Sequence, residues 1–364
     1  MGVLKMAKIK AAMIGCGGIA KGKHLPSIKA TGLADMVAFC DIRPESAEET
    51  RDAFGTEGAK LYTDYKALLK DKSIEVVYVC TPNRSHSEIT VAALKAGKHV
   101  MCEKPMAINA AEAKKMLEAA KKSGKLLSIG YQNRFRPENL YVKQFAEEGG
   151  LGEMYYARAK AIRRRAVPTW GVFLNEYEQG GGPLIDIGTH ALDLTLWTLD
   201  NYKPKYAVGT VYHKLNNDTK TGNAWGDWNP EEFTVEDSAF GFVVMENGAT
   251  IVLESSWALN DRHPAEAVYT IAGTKAGVDL QDGVHINNIQ GGKQAVTKVS
   301  VSGSGVAFYE GDESDNPQIA EQLVFLNAVL GKGKLTVLPE QAYIVTLILD
   351  AIYESAKTGK PVYF

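Results

Sequence analysis

Two acids and an imidazole stand in an otherwise apolar stretch at residues 180–197, G-G-G-P-L-I-D-I-G-T-H-A-L-D-L-T-L-W. Asp186 and His190 are four apart and Asp193 is three further on, so a helix from Leu184 to Leu199 would project all three from one face. The rest of that helix is mainly Leu, Ile, Ala and Trp, which predicts burial on most sides; a polar stripe there needs partners or a cavity. A lone histidine reads most simply as a satisfied core residue. Here an acid one turn earlier can fix the ring and support an imidazolium, which favours a general acid/base at His190. Asp193 stays open between a structural acceptor and a site residue. A metal held by these three is disfavoured, since no second clustered histidine completes a zinc set. The three glycines permit an unusual backbone, and Pro183 suits a first helical turn.

A second group of chemical residues lies near the start. Residues 9–20 read I-K-A-A-M-I-G-C-G-G-I-A, an apolar strand followed by Gly15-x-Gly17-x-x-Ala20. Gly15 permits a tight turn, Gly17 lets backbone approach a phosphate, and Ala20 allows close packing of helix on strand, so a dinucleotide pyrophosphate is expected at the helix N-terminus. A further apolar run ends in Asp41, about 20 residues on, where an acid accepts from the adenosine ribose hydroxyls. Its carboxylate repels a 2′-phosphate while Arg43 offsets that repulsion; NAD is expected, with NADP kept open. Glu103-Lys104-Pro105 follows the apolar run His99–Cys102, and Thr81-Pro82-Asn83 follows Val76–Cys80. Both sit where an open parallel sheet places ligands. Lys104 could hold a substrate hydroxyl and stabilise charge on its oxygen, Pro105 permits a cis peptide, and residues 81–83 could line the nicotinamide ribose.

The elements that must carry these groups fall into two halves. Up to about Gly130, apolar runs alternate with helical patterns such as 87–96 and 110–123, which predicts a doubly wound parallel sheet. Beyond it, longer strands at 153–162, 206–213, 238–246, 249–257 and 267–272 predict a largely antiparallel sheet, followed by helices near 319–330 and 339–357. The chain of 364 residues is long enough for two domains, expected at 1–130 and 131–364, with the C-terminal helices able to pack back on the first. Its 41 basic and 43 acidic side chains leave a net charge of −2, too little to recruit nucleic acid or an anionic membrane. Cys16, Cys40, Cys80 and Cys102 form no C-x-x-C pair and read as buried free thiols. With no apolar h-region in M-G-V-L-K-M-A-K, a cytoplasmic protein without a membrane segment is expected. Residues 216–232 are polar, hold Trp225 and Trp228, and read as a functional loop.

The strings G-C-G-G-I-A, C-T-P-N-R-S-H, E-K-P and G-G-G-P-L-I-D-I-G-T-H-A-L-D, in this order and with Val235-Glu236-Asp237 after them, resemble the Gfo/Idh/MocA oxidoreductases along essentially the whole chain. The resemblance implies a Rossmann domain, a C-terminal α+β domain whose open sheet builds dimers or tetramers, and NAD(P)-dependent oxidation or reduction of a sugar or cyclitol carbon. It assigns Lys104, Asp186 and His190 as catalytic. The cofactor contacts expected are Gly15, Gly17, Gly18, Ile19, Asp41, Arg43, Thr81, Pro82, Asn83, His86, Glu103, Lys104 and Gln132.

The substrate is less legible. Arg163, Arg165 and Trp170 lie between the first strand of the second half and the glycine-rich turn, and Trp225 and Trp228 either offer flat faces to a sugar ring or aglycone or simply anchor their loop. These, with Lys104, Asp186 and His190, are the expected substrate contacts. Alternate arginines on an extended segment face opposite ways, so not all can reach one ligand. A neutral glycoside, free sugar or cyclitol is favoured, oxidised at a ring secondary hydroxyl, in the narrowest form C3 of a glucoside. Two other readings are a redox-neutral glycoside hydrolase that retains NAD, and a non-catalytic dinucleotide- or sugar-binding regulator.

Overall fold

The computed structural model describes residues 8–218, 220–301 and 316–364; residues 1–7, read above for a targeting signal, lie outside them. The chain forms two compact units. One takes in Met1–Ala107, Ala111–Gln132 and Glu313–Glu340, the other Ile108–Ala110, Asn133–Asp312 and Gln341–Phe364, as far as their residues are described.

The first unit is built on six strands, β1 (Ile9–Ile14), β2 (Ala34–Cys40), β3 (Lys60–Tyr62), β4 (Val76–Val79), β5 (His99–Cys102) and β6 (Leu127–Ile129). They are parallel, in the order β3-β2-β1-β4-β5-β6. Every residue of β4 is buried, as expected for a strand covered on both faces. Helices α1 (Leu25–Thr31), α2 (Pro44–Phe54), α3 (Tyr65–Leu69), α4 (Asn83–Lys95) and α5 (Ala110–Ser123) lie between the strands. The order reverses between β1 and β4, the switch point at whose carboxyl ends nucleotides bind. Phe325 and Leu326 share the core with Ile9, Met13, Ile28 and Tyr78, so the late helix spanning Pro317–Val329 completes this unit and packs on α1.

In the second unit, nine strands form one sheet: β7 (Met154–Ile162), β8 (Pro204–Tyr212), β9 (Ser238–Met245), β10 (Thr250–Ser256), β11 (Ala265–Gly273), β12 (Gly277–Asp279), β13 (Val284–Gln290), β14 (Lys293–Val299) and β15 (Val362–Tyr363). Their order is β14-β13-β12-β11-β7-β10-β9-β8-β15, antiparallel except for β7 beside β10. That parallel pair was not anticipated, because strand direction leaves no mark on alternation.

Helix α6 (Pro137–Glu147) and the short α7 (Glu176–Gln179) precede the apolar segment expected to form a single helix. It is instead a π turn, Leu184–Gly188, running into α8 (Thr189–Leu199), with every residue buried. The helix of Pro317–Val329 is α9, and α10 is Pro339–Thr358. Gly209 on β8 and Gly241 on β9 are register partners. A Cβ at either would come within 2.5 and 2.4 Å of the Ile352 side chain on α10. The paired glycines thus form the groove that seats this helix on the sheet. Gly241→Ala should overpack that contact and destabilise the second unit by roughly 1–3 kcal/mol, read by urea unfolding.

Candidate active site

At the end of β1 the chain turns through Gly15, whose φ of 90° and position favour glycine alone: a Cβ would lie 2.5 Å from the Cys80 carbonyl oxygen. A Cβ at Gly17 or Gly18 would meet nothing, so this turn offers bare backbone to open space, and Ile19 is exposed beside it. Asp41, just past β2, accepts from the Cys16 N–H through Oδ2 and the Arg43 N–H through Oδ1, each at 2.9 Å. Each oxygen keeps a second lone pair, which suits it to ribose hydroxyls. Arg43 is exposed, with Nε 3.7 Å from that carboxylate. The residues present therefore fit a dinucleotide.

After β4, Thr81 accepts from Ser85 through Oγ1, and Pro82 and Asn83 start α4. His86 was expected at the cofactor, but its buried ring places Nε2 2.9 Å from the Thr81 carbonyl and Nδ1 2.8 Å from the Pro105 carbonyl. It pins the loops after β4 and β5 to each other. The Lys104–Pro105 peptide is cis.

Glu103 is likewise buried. Its Oε1 accepts from Lys23 Nζ and His24 Nε2, both at 2.6 Å, and its Oε2 accepts from the Lys104 N–H at 3.1 Å. Lys23 also reaches Gln132 Oε1 at 3.1 Å and Glu321 Oε2 at 3.2 Å. Burial and the neighbouring Lys23 charge hold the His24 pKa down, so the neutral ring donates through Nε2 and accepts from Gln322 Nε2 at Nδ1, 3.1 Å away. Burial alone would raise Glu103, but the Lys23 charge and the His24 bond outweigh it and hold the carboxyl well below its usual range. Glu321 has the same cation at longer range and an acid beside it, so burial pushes it up to about 7. Lys23, His24, Glu321 and Gln322 were not foreseen; the only trace of them is the basic K-G-K-H after the glycine turn.

In the second unit, Asp186, His190 and Asp193 are all buried. Asp186 Oδ2 accepts from Trp257 Nε1 at 3.1 Å. Asp193 takes two bonds from Arg134, at 2.9 and 2.6 Å, while Arg134 also donates to Gln341. Both Asp193 oxygens are thus taken up by a buried arginine, the arrangement of a structural acceptor.

Arg163 is a near neighbour of Asp186, whose charge raises its pKa after burial and Glu266 have acted. Its guanidinium grips both Glu266 oxygens, at 2.6 and 2.9 Å, and lies 5.3 Å from the Trp225 ring centroid. Trp225, 44% exposed, meets Trp170, 51% exposed, edge-on at 4.9 Å. Trp228 is only 5% exposed and donates to the Asn216 carbonyl, so it anchors the loop and presents no face. Arg165 reaches the Ala258 carbonyl at 3.4 Å. Asn223 bonds both the N–H and the carbonyl of Val167, which ties the loop to the Arg163–Trp170 segment.

Residues 9–131 match the oxidoreductase family with an NAD-binding Rossmann fold named GFO_IDH_MocA, and residues 139–279 match the GFO/IDH/MocA C-terminal domain. The chain is 35% identical over 351 residues, 96% of each chain, to D-glucoside 3-dehydrogenase of Escherichia coli strain K12. It is 33% identical over 198 residues to inositol 2-dehydrogenase of Salmonella typhimurium, covering 54% of this chain and 56% of that one. A solved levoglucosan dehydrogenase complex with NADH and levoglucosan shares the fold, with TM-score 0.83 at 23% identity over 98% of this chain and 99% of the other.

The buried acids make stability depend on pH. For Glu321, raised from 4.5 to about 7, the unfolded chain gives up the proton first, so this group's contribution falls as pH rises through that window, by about 3 kcal/mol. Glu321→Gln removes that slope. Its thermal midpoint relative to the parent should therefore climb between about pH 5 and pH 8 in scanning calorimetry; a constant difference would contradict the assignment.

Proposed function

Since the chain belongs to the Gfo/Idh/MocA oxidoreductases, with an NAD-binding Rossmann domain as its first unit, we propose that it is an NAD-dependent dehydrogenase of a neutral glycoside, acting on a ring secondary hydroxyl such as C3 of a glucoside. The observation that carries this reading is the identity to D-glucoside 3-dehydrogenase over nearly the full length of both chains. NAD, when bound, supplies the acceptor for the hydride that leaves the carbinol carbon. His190 takes the hydroxyl proton, Lys104 holds and polarises the oxygen, and Asp186, itself held by Trp257, supports the charged imidazole. The backbone of Gly15, Gly17, Gly18 and Ile19, with Asp41, carries the dinucleotide, and Thr81, Pro82 and Asn83 line its nicotinamide end.

A neutral substrate is supported by Arg163, whose guanidinium fork is already spent on Glu266 and so is not open to a sugar acid. Trp170 and Trp225 remain exposed and suit the apolar face of an aglycone or second ring. The same reading includes a homo-oligomer built through the open nine-stranded sheet and a cytoplasmic setting, supported by four free, buried cysteines. Among the described residues, no helix is long and apolar enough to cross a membrane.

Purified protein with NAD should form NADH on a panel of glycosides, sugars and cyclitols, with a product two hydrogens lighter by mass spectrometry. Glycoside cleavage without NADH would point to a redox-neutral hydrolase, and silence across the panel to a binding protein. His190→Ala should lose roughly 10²–10⁴-fold in kcat with NADH affinity little changed; equal loss of both in a folded protein would remove His190 from the chemistry. Trp225→Ala should raise KM for glycosides roughly 3–10-fold while sparing the free sugar.

A further inference from the structure

The turn that carries Asp186 and His190 begins on a buried carboxylate from elsewhere in the chain. Glu236, 3% exposed and two residues before β9, accepts from the Gly182 N–H at 2.7 Å through Oε2. Its Oε1 accepts from the Leu184 N–H at 3.1 Å and from the Tyr353 hydroxyl of α10 at 2.9 Å. The π turn has no side-chain cap at Pro183, so its leading N–H groups find their acceptor in Glu236. A Cβ at Gly182 would lie 2.3 Å from the Glu236 carbonyl oxygen, and one at Gly181 2.1 Å from the Tyr353 hydroxyl. The glycines are what let acid and phenol come this close. From the other side, Ser255 Oγ donates to the Pro183 carbonyl at 2.6 Å.

We infer that Glu236, oriented by Tyr353, is a positioning residue for the reaction: it clamps Gly182 and Leu184 and so sets the direction from which Asp186 and His190 meet the substrate. The inference rests on the proposed roles of those two residues. Three donors converge on two carboxylate oxygens, an arrangement that glutamine cannot reproduce, because its amide nitrogen would face a donor. Burial raises Glu236 to about 7, against the pull of the Gly182 and Leu184 N–H groups and the phenol. The titratable group facing it is Tyr353, which in turn feels Glu176 of α7. Protonation would put a hydrogen where an acceptor is needed, so the clamp weakens as pH falls through neutrality.

The test compares Glu236→Gln and Tyr353→Phe with the parent enzyme loaded with NAD and a glycoside it turns over. Glu236→Gln should lower kcat about 10–100-fold with glycoside KM and NADH affinity within about threefold, the signature of a misdirected site. Tyr353→Phe should lower kcat less and move the acidic limb of the kcat profile to higher pH, because a bond favouring the carboxylate is lost. In both, amide hydrogen exchange at residues 182–190 should quicken without general loss of protection. Unchanged kcat, a loss confined to KM, or an unmoved limb would overturn the inference. If Glu236→Gln does not fold, Tyr353→Phe decides alone. If the parent turns over nothing, the functional reading fails separately and exchange at residues 182–190 still decides the clamp: unchanged exchange overturns it.

Discussion

A carboxylate taken out of water must be given donors, and the reactive parts of this protein are organised by how that demand is met. Glu103 gathers Lys23 and His24 on one oxygen and the Lys104 N–H on the other, so the residue next to the lysine is fixed from three directions. Glu236 gathers two backbone N–H groups and a phenol at the start of the turn bearing Asp186. Asp193 is satisfied by a two-pronged arginine that also reaches Gln341. Truncating any of these acids would strand its donors, which ties the stability of each unit to the geometry of its loops.

Both chemical segments also enter their helices through a π turn, Ala20–His24 before α1 and Leu184–Gly188 before α8. Such turns recur at functional positions because the wider ring changes the direction of a side chain without ending the helix. In the first, Lys23 and His24 are buried directly behind the glycine turn. In the second, Asp186 meets Trp257 while Asp193 keeps its place opposite Arg134. A sequence reading at 3.6 residues per turn has no means of registering the extra residue of such a turn.

What the sequence makes legible follows from the same physics. β1, β4 and β5 are covered on both faces, so they stand out as apolar runs, and the glycine turn is marked by steric need at Gly15. β3 and β14 leave most of their residues at least partly in solvent and carry almost no hydrophobic signal. Lys23 and Glu321 lie about 300 residues apart and become core residues only through each other and Glu103. Trp225 and Trp228 look alike as sequence; a hydrogen bond to the Asn216 carbonyl and edge-on packing against buried Phe233 mark Trp228 as the anchor, while Trp225 stays exposed.

The three glutamates show why residue type alone could not assign protonation. Glu236 has only neutral donors, and they do not overcome burial, so it sits near 7. Glu103 has a cation at 2.6 Å and is held ionised. Glu321 must share that cation at 3.2 Å with an acid already charged, and it too rises to about 7. One lysine thus stabilises a single full negative charge, and geometry gives it to the acid adjoining Lys104. The more distant carboxyl carries the desolvation penalty, so the charge beside the proposed reactive lysine persists across the pH range in which the other two acids titrate.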